Sequence, residues 1–333
     1  MKKLILSILL FTFTLFLAAC SSDDASSSEA ASKDTEGLVI KIGVQGSGGV
    51  FGKAQEDKLF EKAFEQYGAT VEWVEFHSGP PMTEAMASDN LDFAGLGNMP
   101  VIAAQAANIP FKIISQGTTG TQNAGVIAQA DSGITSLHDL VGKKVAAGKG
   151  TNAYDFLLRA LTKAEIDVND IEIINLSPDE AQAAFDSKGV DAWASWEPYL
   201  TINELSGKGA IIADGLSEGL LTPSYNIVRS KFAEDYPDLV VTYLKTFNEV
   251  LAWEDANEEE AVERYATERN LPVELIKASR ERSKTINIFV EDEIIEEHQR
   301  TADFQHEIGT IRQKIDVKEV FDNSFYEKVL EQQ

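Results

Sequence analysis

The chain has 333 residues, 44% of them hydrophobic and 9% aromatic, enough for one or two packed domains and unlike a disordered chain. Its 29 Lys and Arg against 54 Asp and Glu give a formal charge of −25, which argues against nucleic acid and against adhesion to an anionic lipid surface, both of which need clustered cations. Cys20 is the single cysteine, so one chain can form no disulfide framework, thiolate metal site or cysteine nucleophile in its body.

The N-terminus is an address. Lys2 and Lys3 precede an apolar run over residues 4–17, followed by the small residues Ala18 and Ala19. A bilayer span needs roughly 20 apolar residues, so this shorter run reads as a cleaved signal peptide. Leu17-Ala18-Ala19-Cys20 resembles the bacterial lipobox, which implies that Cys20 is acylated and becomes the new N-terminus. Each buried methylene of such an anchor contributes roughly 0.8 kcal/mol. Ser, Ala and acidic residues dominate the next stretch, which cannot form a core. Residues 1–20 are therefore expected to be a lipoprotein signal peptide and 21–37 a flexible linker, with the body held outside the cytoplasmic membrane.

From residue 38 the chain alternates strand and helix. The run 38–44 is β-branched and predicts a strand. Leu59, Phe60, Ala63, Phe64 and Tyr67 recur at helical spacing, and 70–76 alternates apolar and polar side chains. Pro80-Pro81 opens a helix, as proline does at first positions. Strands follow over 91–95 and 111–116. A second α/β unit begins near Asn123, with strands over 125–129, 145–147, 171–175, 191–195 and 210–213. Leu157, Leu158, Leu161 and Ala164 mark a helix face between them, and Ser177 with Glu180 forms a capping box for the next helix. From Phe232 the pattern is helical to the end, with the acidic residues of 254–307 as solvated faces. Strands separated by helices predict parallel sheets covered on both sides. The second unit is inserted in the first, so residues 38–120 and 222–333 are expected as one lobe and 121–221 as the other.

Ligands in open α/β sheets bind beyond the carboxyl ends of the strands. The loops there are Gln45-Gly46-Ser47-Gly48-Gly49, His77-Ser78-Gly79-Pro80-Pro81-Met82, Gly97-Asn98-Met99-Pro100, Gly117-Thr118-Thr119-Gly120 and Lys149-Gly150-Thr151-Asn152. Glycine permits close backbone approach, and helix starts offer N–H groups to an anion. The glycines after Gln45 are no dinucleotide fingerprint, since Phe51 stands where the spaced third glycine belongs, and there is no P-loop. The histidines at 77, 138, 298 and 306 lack metal-ligand spacing. No cofactor and no metal are expected.

Four segments carry a family resemblance: Ser78-Gly79-Pro80-Pro81-Met82 with Glu84-Ala85; Gly97 to Pro100 with Ala103-Ala104-Gln105-Ala106; Gly142-Lys143-Lys144-Val145-Ala146; and Asp191-Ala192-Trp193-Ala194-Ser195-Trp196-Glu197-Pro198-Tyr199. They resemble the aliphatic-sulfonate, taurine and nitrate binding proteins of ABC importers, as do Asp303-Phe304 and Ile315-Asp316-Val317. The resemblance implies a two-lobed type II periplasmic-binding fold that closes on a solute and delivers it to a permease and ATPase. It implies ligand contacts from Gln45, Ser47, Gly48, Ser78, Gly79, Pro80, Gly97, Asn98, Thr118, Thr151, Asn152, Trp196 and Glu197. The solute expected is a small anion, first an aliphatic sulfonate, then taurine, nitrate or a pyrimidine thiamine precursor, held by a monomer without catalysis. A non-cysteine enzyme or a sensor domain on the same fold are the rival readings. Trp193 is expected in the lobe core and Trp196 at the cleft. Arg280 and Arg282 are expected to pair on the surface with neighbouring glutamates.

Overall fold

The computed structural model describes residues 33–46 and 49–332. The expected signal peptide, Cys20, residues 21–32 of the linker, Ser47 and Gly48 lie outside the described residues. The body is one compact unit built on two five-stranded sheets.

The first sheet has the order β2-β1-β3-β10-β4, from β1 (Val39–Gln45), β2 (Thr70–Phe76), β3 (Phe93–Gly97), β4 (Phe111–Thr118) and β10 (Ser224–Arg229). The second has the order β7-β6-β8-β5-β9, from β5 (Ala124–Gln129), β6 (Lys144–Ala147), β7 (Glu172–Asn175), β8 (Ala192–Trp196) and β9 (Gly209–Asp214). β1 runs parallel to β2 and β3, and β6 parallel to β7 and β8.

The sheets are mixed rather than parallel throughout. β10 is antiparallel to β3 and β4, and β5 is antiparallel to β8 and β9. The reason is the path of the chain. β1, β3 and β4 end facing the other sheet, so a chain returning from that sheet starts at the facing edge and must run away from it. β10 is that returning strand, and β5, entered from the first sheet, obeys the same rule in the second. The pattern read from sequence gives no strand over 224–229, because Tyr225 and Asn226 are buried on opposite faces and the apolar alternation is lost.

Two connections join the sheets and run side by side. The Thr222 N–H donates to the Gly120 carbonyl at 2.9 Å, and Asn123 Nδ2 donates to the Thr222 carbonyl at 2.9 Å. Gly120 has φ 80°, and a Cβ there would stand 2.3 Å from the Pro223 nitrogen, so only glycine fits this close crossing.

Each sheet buries both faces under helices. On the first, Ile40, Ile42, Phe93 and Val228 pack with Phe60, Phe64, Tyr243 and Phe247, while Ala94, Leu96, Ile113 and Ile227 face Met82, Met99 and Ile102. On the second, Val126, Val145 and Ala194 pack under Phe156, Leu157 and Leu161, while Ile127, Ala146 and Trp193 meet Phe185 and Leu200. Trp193 is 2% exposed, a core residue as expected. Among the described residues no helix is long and apolar enough to cross a membrane.

Candidate functional site

The facing strand ends enclose a cavity of about 320 Å³. Four helices begin at its wall. Gly79 starts Gly79–Ala87, Gly97 precedes Asn98–Ala106, Thr151 and Asn152 start Asn152–Lys163, and Gly49 starts Gly49–Glu56. The Ser78 side chain accepts nothing from its helix start, whereas Thr151 Oγ1 accepts from the Tyr154 N–H at 3.3 Å, the Gly49 N–H donates to Glu268 Oε2 at 2.9 Å and the Asn98 N–H to the Pro223 carbonyl at 2.9 Å. Helix starts carry partial positive charge, so several of them aimed at one volume favour an anion.

Of the residues expected at the ligand, Gln45, Gly79, Gly97, Thr118, Thr151, Asn152, Trp196 and Glu197 line this cavity. Gln45 is oriented by its Nε2, which donates to the Gly95 carbonyl at 2.9 Å. Ser78 and Pro80 line a smaller neighbouring cavity of about 210 Å³, with Lys149, which shares Thr151 and Trp196 with the first. Trp196 meets Tyr199 edge-on at 5.9 Å and stands between the two cavities. Asn98 departs from expectation. Its side chain is fully buried and turned away from the cavity, with Nδ2 donating to Asp155 Oδ2 at 3.3 Å. The buried Asp155 carboxylate needs donors, and Asn98 is one of them.

The wall also holds residues that sequence reasoning does not place there: Phe247, Tyr265, Arg269, Ser279 and Arg280 from the C-terminal helices, with Ser224 from β10. Only the helix-end positions of Arg269 and Arg280 mark them in sequence, as cations suited to a helix C-terminus. Arg280 Nη1 donates to Glu254 Oε2 at 3.1 Å and lies over the Tyr265 ring at 5.2 Å, and the Tyr265 hydroxyl donates to Glu254. Burial pushes the Glu254 carboxyl up, against the pull of Arg280. Burial also pulls the Arg269 guanidinium below its ordinary value, opposed by Glu268.

Glu197 is the only carboxylate on the wall among the described residues. Its side chain is 5% exposed, and Oε1 accepts from Arg282 Nε at 2.7 Å. Arg282 Nη2 donates to Asp214 Oδ2 at 3.0 Å, so one guanidinium ties the ends of β8 and β9 to the Val273–Arg282 helix. Neither Arg280 nor Arg282 therefore forms the surface pairs with near neighbours that their sequence surroundings suggest. Long-range packing brings each to a buried carboxylate instead. Burial pushes the Glu197 carboxyl up, while Thr201 and Arg282 pull it down. Burial lowers Arg282 too, but its bonds to Glu197 and Asp214 outweigh that and hold it above its usual value.

A sequence model of the family described as NMT1/THI5 like matches residues 54–261, more than half of the chain. The chain belongs to this family. A Bacillus subtilis (strain 168) protein named for aliphatic sulfonates binding is 40% identical over 325 residues, covering 98% of this chain and 96% of that one. The alkanesulfonate-binding protein SsuA from Xanthomonas axonopodis pv. citri, solved bound to MOPS, superposes with a TM-score of 0.79 at 26% identity, covering 86% of this chain and 99% of that one. The periplasmic aliphatic sulphonate binding protein SsuA from Escherichia coli gives a TM-score of 0.74 at 30% identity, over 85% and 91% of the two chains. This member of the NMT1/THI5-like family has the two-lobed α/β fold of periplasmic binding proteins, as its resemblance implies. The desulfurization enzyme DszB shares the fold at 15% identity with a TM-score of 0.65 over 89% of this chain and 99% of that one, a likeness of fold alone.

Proposed function

We propose that this protein is the extracytoplasmic solute-binding component of an ABC importer, capturing an aliphatic sulfonate between two lobes formed by residues 38–120 with 222–333 and by 121–221. The observation that carries the reading is the cavity wall: the helix starts at Gly79 and Asn152, the Thr118 hydroxyl, two guanidiniums and, among the described residues, one carboxylate already held by Arg282. A sulfonate presents three acceptor oxygens and one permanent negative charge, and matches that wall without needing a proton. Trp196 offers an apolar face to its carbon chain. The relatives named for sulfonate binding support the same solute class.

Capture follows from differential contacts. Donors from both lobes reach one guest only when the lobes are close, so binding favours the closed state. A permease and an ATPase would receive the solute from that closed form. The chain acts as a monomer, anchored through lipid on Cys20, and turns nothing over. The net charge of −25 slows arrival of an anion more than it weakens the complex, because exposed charges beyond about 8 Å are screened.

Calorimetric titration of the full chain with ethanesulfonate, nitrate and a pyrimidine tests the solute. Saturable heat with ethanesulfonate is expected; its absence, with binding of either other compound, defeats the assignment. Mass spectrometry of the mature N-terminus tests the anchor, with lipid expected on Cys20 and lost in Cys20→Ala.

A further inference from the structure

An ammonium group entering the cavity is matched best by a carboxylate, since a charge taken from water without a partner is costly. The wall offers one among the described residues, Glu197, and two guanidiniums, Arg269 and the Glu254-paired Arg280. Glu197 is already paired before any guest arrives. Oε1 accepts from Arg282 Nε at 2.7 Å, and Oε2 faces the Thr201 N–H at 3.4 Å. Arg282 is itself fixed from its other side, where Nη2 donates to Asp214 Oδ2 at 3.0 Å. Asp214 is held in turn by Gln122 Nε2 at 3.0 Å and the Ser217 N–H at 2.9 Å. Arg282 lies behind the wall rather than in it.

We propose that Arg282 is a positioning residue that sets solute specificity: by pairing with Glu197 it competes for the one wall carboxylate among the described residues, so the protein selects sulfonates without an amine over aminosulfonates such as taurine. This rests on the sulfonate reading above and narrows it to a substrate class. The ammonium of taurine would have to compete at Glu197 with a guanidinium anchored at two carboxylates, beside Arg269 and the Glu254-paired Arg280. Ethanesulfonate asks for neither. Arg282→Met leaves the same carboxylate on the wall with its guanidinium partner gone, and Glu197 then becomes available to an amine.

The test is calorimetry of ethanesulfonate and taurine against the full chain, Arg282→Met, Arg282→Lys, Glu197→Gln and the Arg282→Met/Glu197→Gln double variant. The readout is the ratio of the two dissociation constants, which general loosening of the fold does not move. The wild type is expected to prefer ethanesulfonate at least tenfold. Arg282→Met should shift the ratio toward taurine by tenfold or more, Arg282→Lys by less, and the double variant should lose the shift. Glu197→Gln should change both constants by a similar factor. Equal wild-type affinities, or a ratio unmoved in Arg282→Met, overturn the role of Arg282 while sulfonate binding stands. Should Arg282→Met fail to fold, loss of taurine binding alone in Glu197→Gln overturns it, because Glu197 would then already serve the amine. Absence of any sulfonate heat with the wild type removes both this inference and the solute assignment.

Discussion

Two arginines each bridge the region of one sheet to that of the other, and their surroundings separate framework from site. Arg159, on the Asn152–Lys163 helix, donates through Nε to Asp155 Oδ2 at 3.0 Å. Its Nη1 reaches Glu297 Oε1 at 3.1 Å, and its Nη2 reaches the Leu221 carbonyl at 2.7 Å. Gln305 and Asn98 complete the shell of Asp155, which is wholly buried and lines neither of the two cavities described above. Arg282 has the same chemistry, one guanidinium between two carboxylates, but one of those carboxylates is cavity wall. The same ion group therefore serves two ends. Sealed from solvent, it fixes how the lobes meet; placed at the cavity, it sets the charge a guest encounters.

Breaking the sealed group should do the most damage. Arg159→Met leaves the Asp155 carboxylate buried without its cation, and a loss of about 3–5 kcal/mol is expected in chemical denaturation. A loss no greater than that of Arg282→Met would erase the distinction between the two groups.

Acid should attack the same side. His298 follows Glu297 on the Asp292–Glu307 helix, packed edge-on against Tyr225 at 5.0 Å and Phe321 at 5.5 Å. Burial pulls its pKa from 6.5 down to about 3. Between those values the unfolded chain binds the proton and the folded chain does not, so stability is full above pH 6.5 and falls as the pH drops toward 3. At pH 5 the loss from this residue is about 2 kcal/mol. Denaturation of His298→Leu across pH 5 to 7 should show a flatter dependence; an unchanged slope would place the acid sensitivity elsewhere.

At the cavity the effects are smaller and fall on binding. Trp196→Ala should weaken ethanesulfonate about tenfold, or about 1.4 kcal/mol, by calorimetry, while the melting transition moves little because the ring is only partly buried. Arg282→Met also costs stability. Thr201, Gln122 and Ser217 still donate to the largely buried carboxylates it leaves, and a cost of about 2 kcal/mol, below that of Arg159→Met, is expected by denaturation.

Much of the fold is legible because its signals are local. Thr70–Phe76 alternates in the sequence and forms β2 with the same bounds, and Ser177 does donate its N–H to the Glu180 carboxylate at 2.9 Å. β10 is not legible, because Asn226 sits in a fully covered strand and is satisfied by Ser115, 111 positions away. The site divides in the same way. Loops of Gly, Ser, Thr and Asn at strand ends mark the cavity edge, yet the same loop chemistry leaves Gly97 on the wall and turns Asn98 inward to Asp155.

Composition, period and turn chemistry are properties of neighbours in the chain, and they alone carry the lipobox resemblance of residues 17–20, the alternating α/β elements and the polar strand-end loops. Which arginine meets which carboxylate is decided between residues as far apart as Glu197 and Arg282, or Arg159 and Glu297. Only the folded packing removes both charges from water and obliges them to pair, so the charge of the cavity wall belongs to the tertiary structure.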